Sequence, residues 1–152
     1  MPEELRRSIA GLTLKHDGTY NSGGYVRQGV TAVDDPVESA GVYHPLVVTH
    51  PESGRRALYL GRRRNAYIGG LPLAESEALL DELWSYTSRE DVSWGNEWRT
   101  GDVVLWDNRC TMHRGMPFDD LRWPRDMQRA TTSDRPDAFG APDAERRVSR
   151  DY

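Results

Sequence analysis

The stretch that decides the fold runs from Trp106 to Arg129 and reads WDNRCTMHRGMPFDDLRWPRDMQR. Just before and into it, residues 102–106 (DVVLW) form a short apolar run behind a Thr-Gly pair, which predicts a strand. The chain then turns and presents a single histidine, His113, ahead of Arg114-Gly115. The pattern therefore predicts a strand that leads into a histidine-bearing loop.

The end of the same stretch carries two arginines, Arg125 and Arg129. Residues an even number apart in a strand share a face, so Arg125, Met127 and Arg129 are expected to point in the same direction. Two guanidinium groups on one sheet face indicate a pocket for anions, because an unpaired buried charge is costly. Taken alone, such a pair is more often a solvated strand face.

Several motifs resemble the taurine dioxygenase (TauD/TfdA) family of Fe(II)- and 2-oxoglutarate-dependent dioxygenases. The segments WDNRCTMH (106–113) and RDMQRAT (125–131) are similar to the C-terminal signature of that family. Upstream, HPLVVTHPESGRRALYL (44–60) resembles a further family segment, and the helix AESEALLDEL (74–83) matches in kind and position. The resemblance covers residues 40–134.

The resemblance implies roles for three residues. His113 would be one histidine of a two-histidine, one-carboxylate set that holds Fe(II). Arg125 would pair with the distal carboxylate of 2-oxoglutarate, which suits a planar guanidinium better than a lysine. Arg129 would face the anionic group of the primary substrate. The implied reaction is hydroxylation of a small anionic organic substrate with release of succinate and CO2.

One departure from the family concerns the other two metal ligands, which come from an H-x-D motif. The chain has four histidines, and none of them has an acid two positions later. His16 is followed directly by Asp17, but neighbouring strand residues point to opposite faces, so this pair cannot replace H-x-D. The sequence therefore also allows an inactive fragment of such an enzyme, or an iron-free module that binds anions.

Composition narrows the classes of partner. The chain has 152 residues, a formal charge of −4 and a pI near 5.6, which argues against a nucleic-acid or membrane surface as its main partner. Cys110 is the only cysteine, so no internal disulfide is possible. With no apparent signal peptide and no apolar run long enough to span a bilayer, a reducing cytoplasm is expected.

Periodicity predicts the remaining elements. Residues 3–15 are expected to form a helix, 44–50 and 56–60 a hairpin across a Pro-Glu-Ser-Gly turn, and 73–88 the clearest helix. Residues 92–98 alternate as a strand whose tryptophans, Trp94 and Trp98, are expected to supply much of the core. The basic run at 61–65, GRRRN, is interpreted as a solvated loop.

These elements predict a mainly β fold with flanking helices, part of a double-stranded β-helix (jelly roll) of cupin-like type. Residues 1–134 are expected to be the C-terminal portion of an oxygenase domain, and residues 135–152, which have little apolar content, a disordered tail. Part of a jelly roll would expose strand edges and an apolar face, so pairing with another chain, including a homo-oligomer, is also expected.

Overall fold

The computed structural model of the chain describes residues 1–21, 23–119, 121–123 and 126–132. The chain falls into two units, Met1–His113 and Arg114–Tyr152, which are described separately. In the described residues, all regular secondary structure lies in the first unit. Its elements in chain order are α1 (Glu3–Ser8), β1 (Thr13–Asp17), β2 (Gly41–Pro45), β3 (Val47–Thr49), β4 (Arg56–Leu58), β5 (Tyr67–Ile68), α2 (Leu73–Thr87) and a short 3-10 helix (Glu90–Val92).

The larger sheet has three antiparallel strands in the order β2-β1-β5. Leu14 in the central strand lies opposite His44 of β2 and Ile68 of β5. Both Leu14 and Ile68 are fully buried and belong to the hydrophobic core. Lys15, the next residue, is also buried and donates hydrogen bonds to the carbonyls of Val37 (3.0 Å) and Ser39 (2.7 Å).

The predicted hairpin is confirmed as β3 and β4, which pair antiparallel with Val47 opposite Leu58. Its turn is closed by two backbone hydrogen bonds of 2.9 Å, from His50 N to Arg55 O and from Gly54 N to His50 O. Gly54 has a φ of +68°, a conformation that favours glycine. The predicted strand over 44–50 is interrupted at Leu46, whose amide donates to Leu12 O at 2.9 Å.

The predicted helix over 73–88 is confirmed as α2. Leu80 and Leu83 are fully buried and lie one turn apart, so one face of the helix packs into the core. Leu79 and Trp84 pack against that core while remaining partly exposed. Eight residues make up the buried apolar cluster: Ile9, Leu14, Leu46, Leu60, Ala66, Ile68, Leu80 and Leu83.

The predicted helix over 3–15 is wrong beyond its first turns, because α1 ends at Ser8 and β1 begins at Thr13. Gly11 adopts a φ of +88°, which ends the helical backbone. Hydrogen bonding to strands on both sides then favours the extended chain over the predicted helix.

The strands predicted over 92–98 and 102–106 are absent from the described residues. Trp94 is 76% exposed and Trp98 46% exposed, so the prediction that they supply the core is wrong. Val103 and Leu105 are still more exposed, at 92% and 96%. A strand is defined by pairing, and no described strand lies beside either segment, which explains why an apolar pattern alone did not produce one.

The basic loop at 61–65 is not simply solvated. Arg63 pairs with Glu77 (2.7 Å) and Asp81 (2.8 Å) on α2, and these carboxylates raise the pKa of its guanidinium. Arg62 donates to the carbonyl of Tyr20 at 2.8 Å, and the guanidinium of Arg64 lies 3.4 Å from the centre of the Tyr20 ring. The loop therefore links α2 to the segment around Tyr20.

In the second unit, the backbone carbonyl of Asp119 accepts hydrogen bonds from Arg122 N (3.3 Å) and Trp123 N (3.0 Å), which close a turn. Residues 126–132 are not in a strand, so that part of the predicted strand over 125–129 is wrong. The tail predicted at 135–152 lies outside the described residues.

Within the described part of the chain, no helix is long and apolar enough to cross a membrane. The five strands and two α-helices of the described residues agree with the expected fold class, and the jelly roll stays a prediction.

Candidate functional site

The motif WDNR begins a tight turn that is organised by Asp107. Its carbonyl accepts hydrogen bonds from Cys110 N (3.3 Å), Thr111 N (3.1 Å) and Thr111 Oγ1 (2.6 Å). Its carboxylate accepts from the amide of Arg109 at 2.8 Å. Aspartate is favoured at such positions because its short side chain can bond to the backbone two residues ahead.

The carboxylate of Asp107 is also paired with the side chain of Arg109. Nε of Arg109 lies 3.0 Å from both carboxylate oxygens, and Nη2 lies 2.7 Å from Oδ2. Nη2 of Arg109 also reaches Oε1 of Glu52, in the turn of the hairpin, at 3.0 Å. Arg109 first and His50 second hold the pKa of Asp107 well below its usual range. Both Asp107 and Glu52 raise the pKa of Arg109.

His50 contacts the same carboxylate from the other side. Its Nε2 lies 3.0 Å from Oδ2 of Asp107, and its side chain is only 11% exposed. Its Nδ1 accepts from the amides of Glu52 (3.3 Å) and Ser53 (3.2 Å). Since an amide N–H can only donate, Nδ1 is unprotonated, and Nε2 carries the proton that is donated to Asp107. The hydrogen bonds thus select one tautomer of a neutral imidazole.

A cavity of about 340 Å³ lies beside this group. One wall is Tyr59, whose ring is backed by the imidazoles of His16 and His44, with ring centres 4.8 and 5.5 Å away. His16 donates from Nε2 to the carbonyl of Tyr59 at 3.0 Å. The residues lining the cavity are Val48, Thr49, His50, Pro51, Tyr59, Asn108 and Arg109.

His113 stands two residues beyond the turn and is exposed. Its ring packs on Trp106 with centres 4.8 Å apart, and Nε1 of Trp106 donates to Oδ1 of Asn108 at 2.9 Å. Within the part of the chain that the structure describes, neither imidazole nitrogen of His113 takes part in a hydrogen bond. The ring is therefore supported by an aromatic contact, while its nitrogens remain available to a ligand.

Comparison with known proteins shows to which protein family the chain is related. The family model described as "Taurine catabolism dioxygenase TauD, TfdA family" matches residues 1–131. The chain belongs to this family.

Individual relatives agree with that assignment. The chain is 35% identical over 136 residues to the alpha-ketoglutarate-dependent 2,4-dichlorophenoxyacetate dioxygenase of Cupriavidus pinatubonensis (strain JMP 134 / LMG 1197), covering 88% of this chain and 46% of that protein. It is 38% identical over 117 residues to the (S)-phenoxypropionate/alpha-ketoglutarate-dioxygenase of Delftia acidovorans, covering 77% of this chain and 37% of the relative. The chain thus spans less than half the length of these relatives.

A solved structure is also similar. The crystal structure of AAD-2 in complex with Mn(II) and N-oxalylglycine superposes with a TM-score of 0.66 and 31% sequence identity, covering 83% of this chain and 49% of that one. The two chains are therefore similar in fold as well as in sequence. As with the relatives, only about half of the solved chain is matched.

The TauD family implies an Fe(II) centre, which needs several nitrogen or oxygen donors directed at one point. His113 supplies one imidazole of the kind required. Among the described residues, one group of three donors lies within 4.8 Å of one another, namely His50, Asp107 and Cys110. In that group Nε2 of His50 carries a proton, and Asp107 is neutralised by Arg109, so these atoms are committed to hydrogen bonds. The described residues do not provide a complete Fe(II) ligand set.

The two predicted anion-binding arginines lie in the second unit of the chain. Arg129 is exposed. Arg125 lies outside the described residues, so its pairing with 2-oxoglutarate stays a prediction. The metal-ligand role of His113 and the substrate role of Arg129 are likewise untested by the arrangement of the described residues.

Sequence reasoning did not identify the group formed by His50, Glu52, Asp107 and Arg109. All four residues belong to motifs that mark the family, THPESG and WDNR, but their mutual contact joins positions 57 residues apart. The sequence did contain complementary charges that could have predicted the contact. One motif has a histidine and an acid, and the other has an acid and an arginine that can pair with them.

Proposed function

We propose that this chain forms the C-terminal part of the active site of an Fe(II)- and 2-oxoglutarate-dependent dioxygenase. The reaction is hydroxylation of a small anionic organic substrate, with release of succinate and CO2. The observation that carries the proposal is His113, whose imidazole nitrogens are unengaged in the described residues and which follows an anchored turn in a member of the TauD family. In such an enzyme the metal and cosubstrate supply the oxidation, while the protein orients the reactants and excludes water.

Three residues would carry the site. His113 is one metal ligand, Arg125 pairs with the distal carboxylate of 2-oxoglutarate, and Arg129 faces the anionic group of the substrate. The names of the relatives support an anionic substrate, because phenoxyacetates and phenoxypropionates carry a carboxylate. A guanidinium group recognises a carboxylate through two parallel hydrogen bonds, which gives both affinity and orientation.

The test is anaerobic calorimetry of 2-oxoglutarate binding, with and without Fe(II), on the wild-type chain, Arg125→Ala and Arg129→Ala. Removing one partner of a desolvated charge pair costs about 2–5 kcal/mol, or about 30-fold to several-thousand-fold in affinity. Arg125→Ala should show that loss, and Arg129→Ala should bind 2-oxoglutarate nearly as well as the wild type. Equal affinity of the wild type and a folded Arg125→Ala variant would contradict the assignment.

His113→Ala tests the metal role in the same titration. It should remove any part of the 2-oxoglutarate affinity that depends on Fe(II), whereas the neighbouring Met112→Ala, which changes an exposed side chain, should not. An Fe(II)-dependent affinity that survives His113→Ala would show that the metal lies elsewhere.

A second candidate function is an iron-free module that binds anions. It is favoured by the donor set, because the group of three possible metal donors found among the described residues does not include His113. This module would bind 2-oxoglutarate equally with and without Fe(II) and would form no succinate. Iron-dependent succinate formation that is lost on chelation would exclude it, as it would exclude an inactive fragment.

The wider assignments are proposals as well. We place residues 1–134 in the oxygenase portion, within a cupin-like double-stranded β-helix, and residues 135–152 in a tail. The single cysteine of the chain, Cys110, suits a reducing compartment such as the cytoplasm. The exposed apolar side chains of Val103 and Leu105 suit pairing with further polypeptide, including a second copy of the chain.

A further inference from the structure

We propose that His50 is a positioning residue, which holds Asp107 and thereby fixes the segment that carries His113 against the hairpin. The consequence for metal binding rests on the proposed function of His113. The anchoring itself depends only on the contacts of this chain.

The anchor is a closed ring of hydrogen bonds that we call the hairpin clamp, formed by His50, Glu52, Asp107 and Arg109. His50 donates to Asp107 (3.0 Å), Asp107 accepts from Arg109 (2.7 Å), and Arg109 donates to Glu52 (3.0 Å). The amide of Glu52 returns to Nδ1 of His50 at 3.3 Å, which closes the ring. Two members belong to the hairpin turn and two to the turn that begins at Asp107.

The segment 102–113 needs such an anchor because it lacks sheet hydrogen bonds in the described chain. Val103 and Leu105 are almost fully exposed, and no described strand pairs with this stretch. The turn at Asp107 is closed by its own carbonyl, which accepts from Cys110 and Thr111, but both residues are exposed, and a short exposed turn opens readily when nothing else holds it. The clamp adds what the turn cannot supply, which is a fixed position relative to the hairpin.

The two nitrogens of His50 have separate tasks, so they can be removed one at a time. Nδ1 accepts from the amides of Glu52 and Ser53 and shapes the hairpin turn. Nε2 donates to Asp107 and joins the two turns. The side-chain oxygen of an asparagine reaches about as far as Nδ1, and the amide nitrogen of a glutamine reaches about as far as Nε2. His50→Asn therefore keeps the turn and cuts the link, while His50→Gln keeps the link.

The experiment measures backbone amide exchange in the wild-type chain, His50→Asn and His50→Gln. In His50→Asn, exchange at Arg109, Cys110 and Thr111 should accelerate by about tenfold to a hundredfold, the loss of one hydrogen bond to a charged group. The amide of Gly54 in the hairpin should keep its protection. In His50→Gln, the protection at 109–111 should stay near that of the wild type. Nitrogen NMR of the wild type should show Nε2 of His50 protonated and Nδ1 unprotonated.

A purely structural role in the hairpin turn predicts the reverse order, with His50→Gln the more damaged variant, and would overturn the proposal. Wild-type exchange at 109–111 in His50→Asn would also overturn it. If His50→Asn does not fold, Asp107→Asn serves instead, because the amide retains the shape and weakens the link to Arg109. The same acceleration at 110 and 111 is then expected, and its absence would refute the clamp.

A metal site built from His50, Asp107 and Cys110 is the competing interpretation. Cys110→Ser separates the two, because Sγ of Cys110 lies 3.8 Å from the carbonyl of Asp107 and takes no part in the hydrogen bonds of the clamp. The clamp predicts wild-type exchange in this variant. Zn²⁺ binding that protects residues 109–111 and is lost in Cys110→Ser would overturn our interpretation.

The proposed function can fail without the clamp failing, because amide exchange needs no iron. If both hold, Fe(II)-dependent binding of 2-oxoglutarate should weaken in His50→Asn and persist in His50→Gln. If the chain shows no Fe(II)-dependent binding at all, the dioxygenase proposal fails, and the exchange data still decide whether His50 anchors the segment.

Discussion

Ser76→Ala is expected to destabilise the protein although it changes a single atom on a helix. Ser76 lies in α2, is fully buried, and its Oγ accepts a hydrogen bond from the amide of Ile68 at 2.9 Å. Ile68 belongs to β5 at the edge of the larger sheet and is also fully buried. The hydroxyl therefore satisfies an edge amide that neither water nor a neighbouring strand reaches.

The magnitude follows from this geometry. A buried amide left without a partner costs about 1–3 kcal/mol. Alanine has a higher helix propensity than serine, which stabilises the variant by up to about 0.5 kcal/mol. The smaller side chain leaves little empty space. The free energy of unfolding should fall by about 1–2 kcal/mol, which for a chain of this size lowers Tm by roughly 2–8 °C.

Urea denaturation measures the stability, and amide exchange at Ile68 locates the effect. Ser85→Ala is the matched control on the same helix, because Ser85 is exposed and donates to Glu82 O within its own turn. The control should stay within about 0.5 kcal/mol of the wild type. If Ser76→Ala were as stable as the control and the amide of Ile68 exchanged at the wild-type rate, the hydrogen bond would contribute nothing to the stability of the contact between α2 and β5.

Three further predictions follow from buried or strained positions. Leu80→Ala should lower the free energy of unfolding by about 2–5 kcal/mol in urea denaturation, because it empties a fully buried site, whereas the 40% exposed Leu73→Ala should cost far less. Gly61→Ala should cost more than Gly24→Ala by the same measurement: both residues have positive φ, but a Cβ at Gly61 would lie 2.9 Å from the His16 ring while Gly24 faces open space. Burial lowers the pKa of His16 below 6.5, so its contribution to stability is complete above that pH and declines as the pH falls through the folded pKa. A stability–pH curve of His16→Asn should therefore be flatter than that of the wild type below pH 6.5, and equal slopes would refute this assignment.

Elements with a strong local pattern were predictable from the sequence. Helix α2 was predicted within one residue of its observed end, because one apolar face and the preceding Pro72 mark it without reference to the rest of the chain. The hairpin was predicted for the same reason, since a Pro-Glu-Ser-Gly turn separates two apolar runs. The family was also predictable, because its motifs are contiguous and are confirmed by the match over residues 1–131.

Elements that depend on a distant partner were not predictable. Residues 13–15 were predicted to end the first helix, yet they lie in the central strand, because β2 and β5 pair with them from positions far along the chain. The segment with Trp94 suits a strand by alternation and the segment with Leu105 by its apolar run. Neither segment pairs in the described residues, so their apolar side chains remain exposed.

The same division applies to the candidate site. The sequence by itself determined that His113, Arg125 and Arg129 match a family signature, and it showed that the H-x-D motif is missing. Only the tertiary structure decided that His50 meets Asp107, because that contact spans 57 residues and has no periodic signal. Local propensities act over one or two turns of chain, whereas a hydrogen bond between two loops forms only when the fold between them brings both into place.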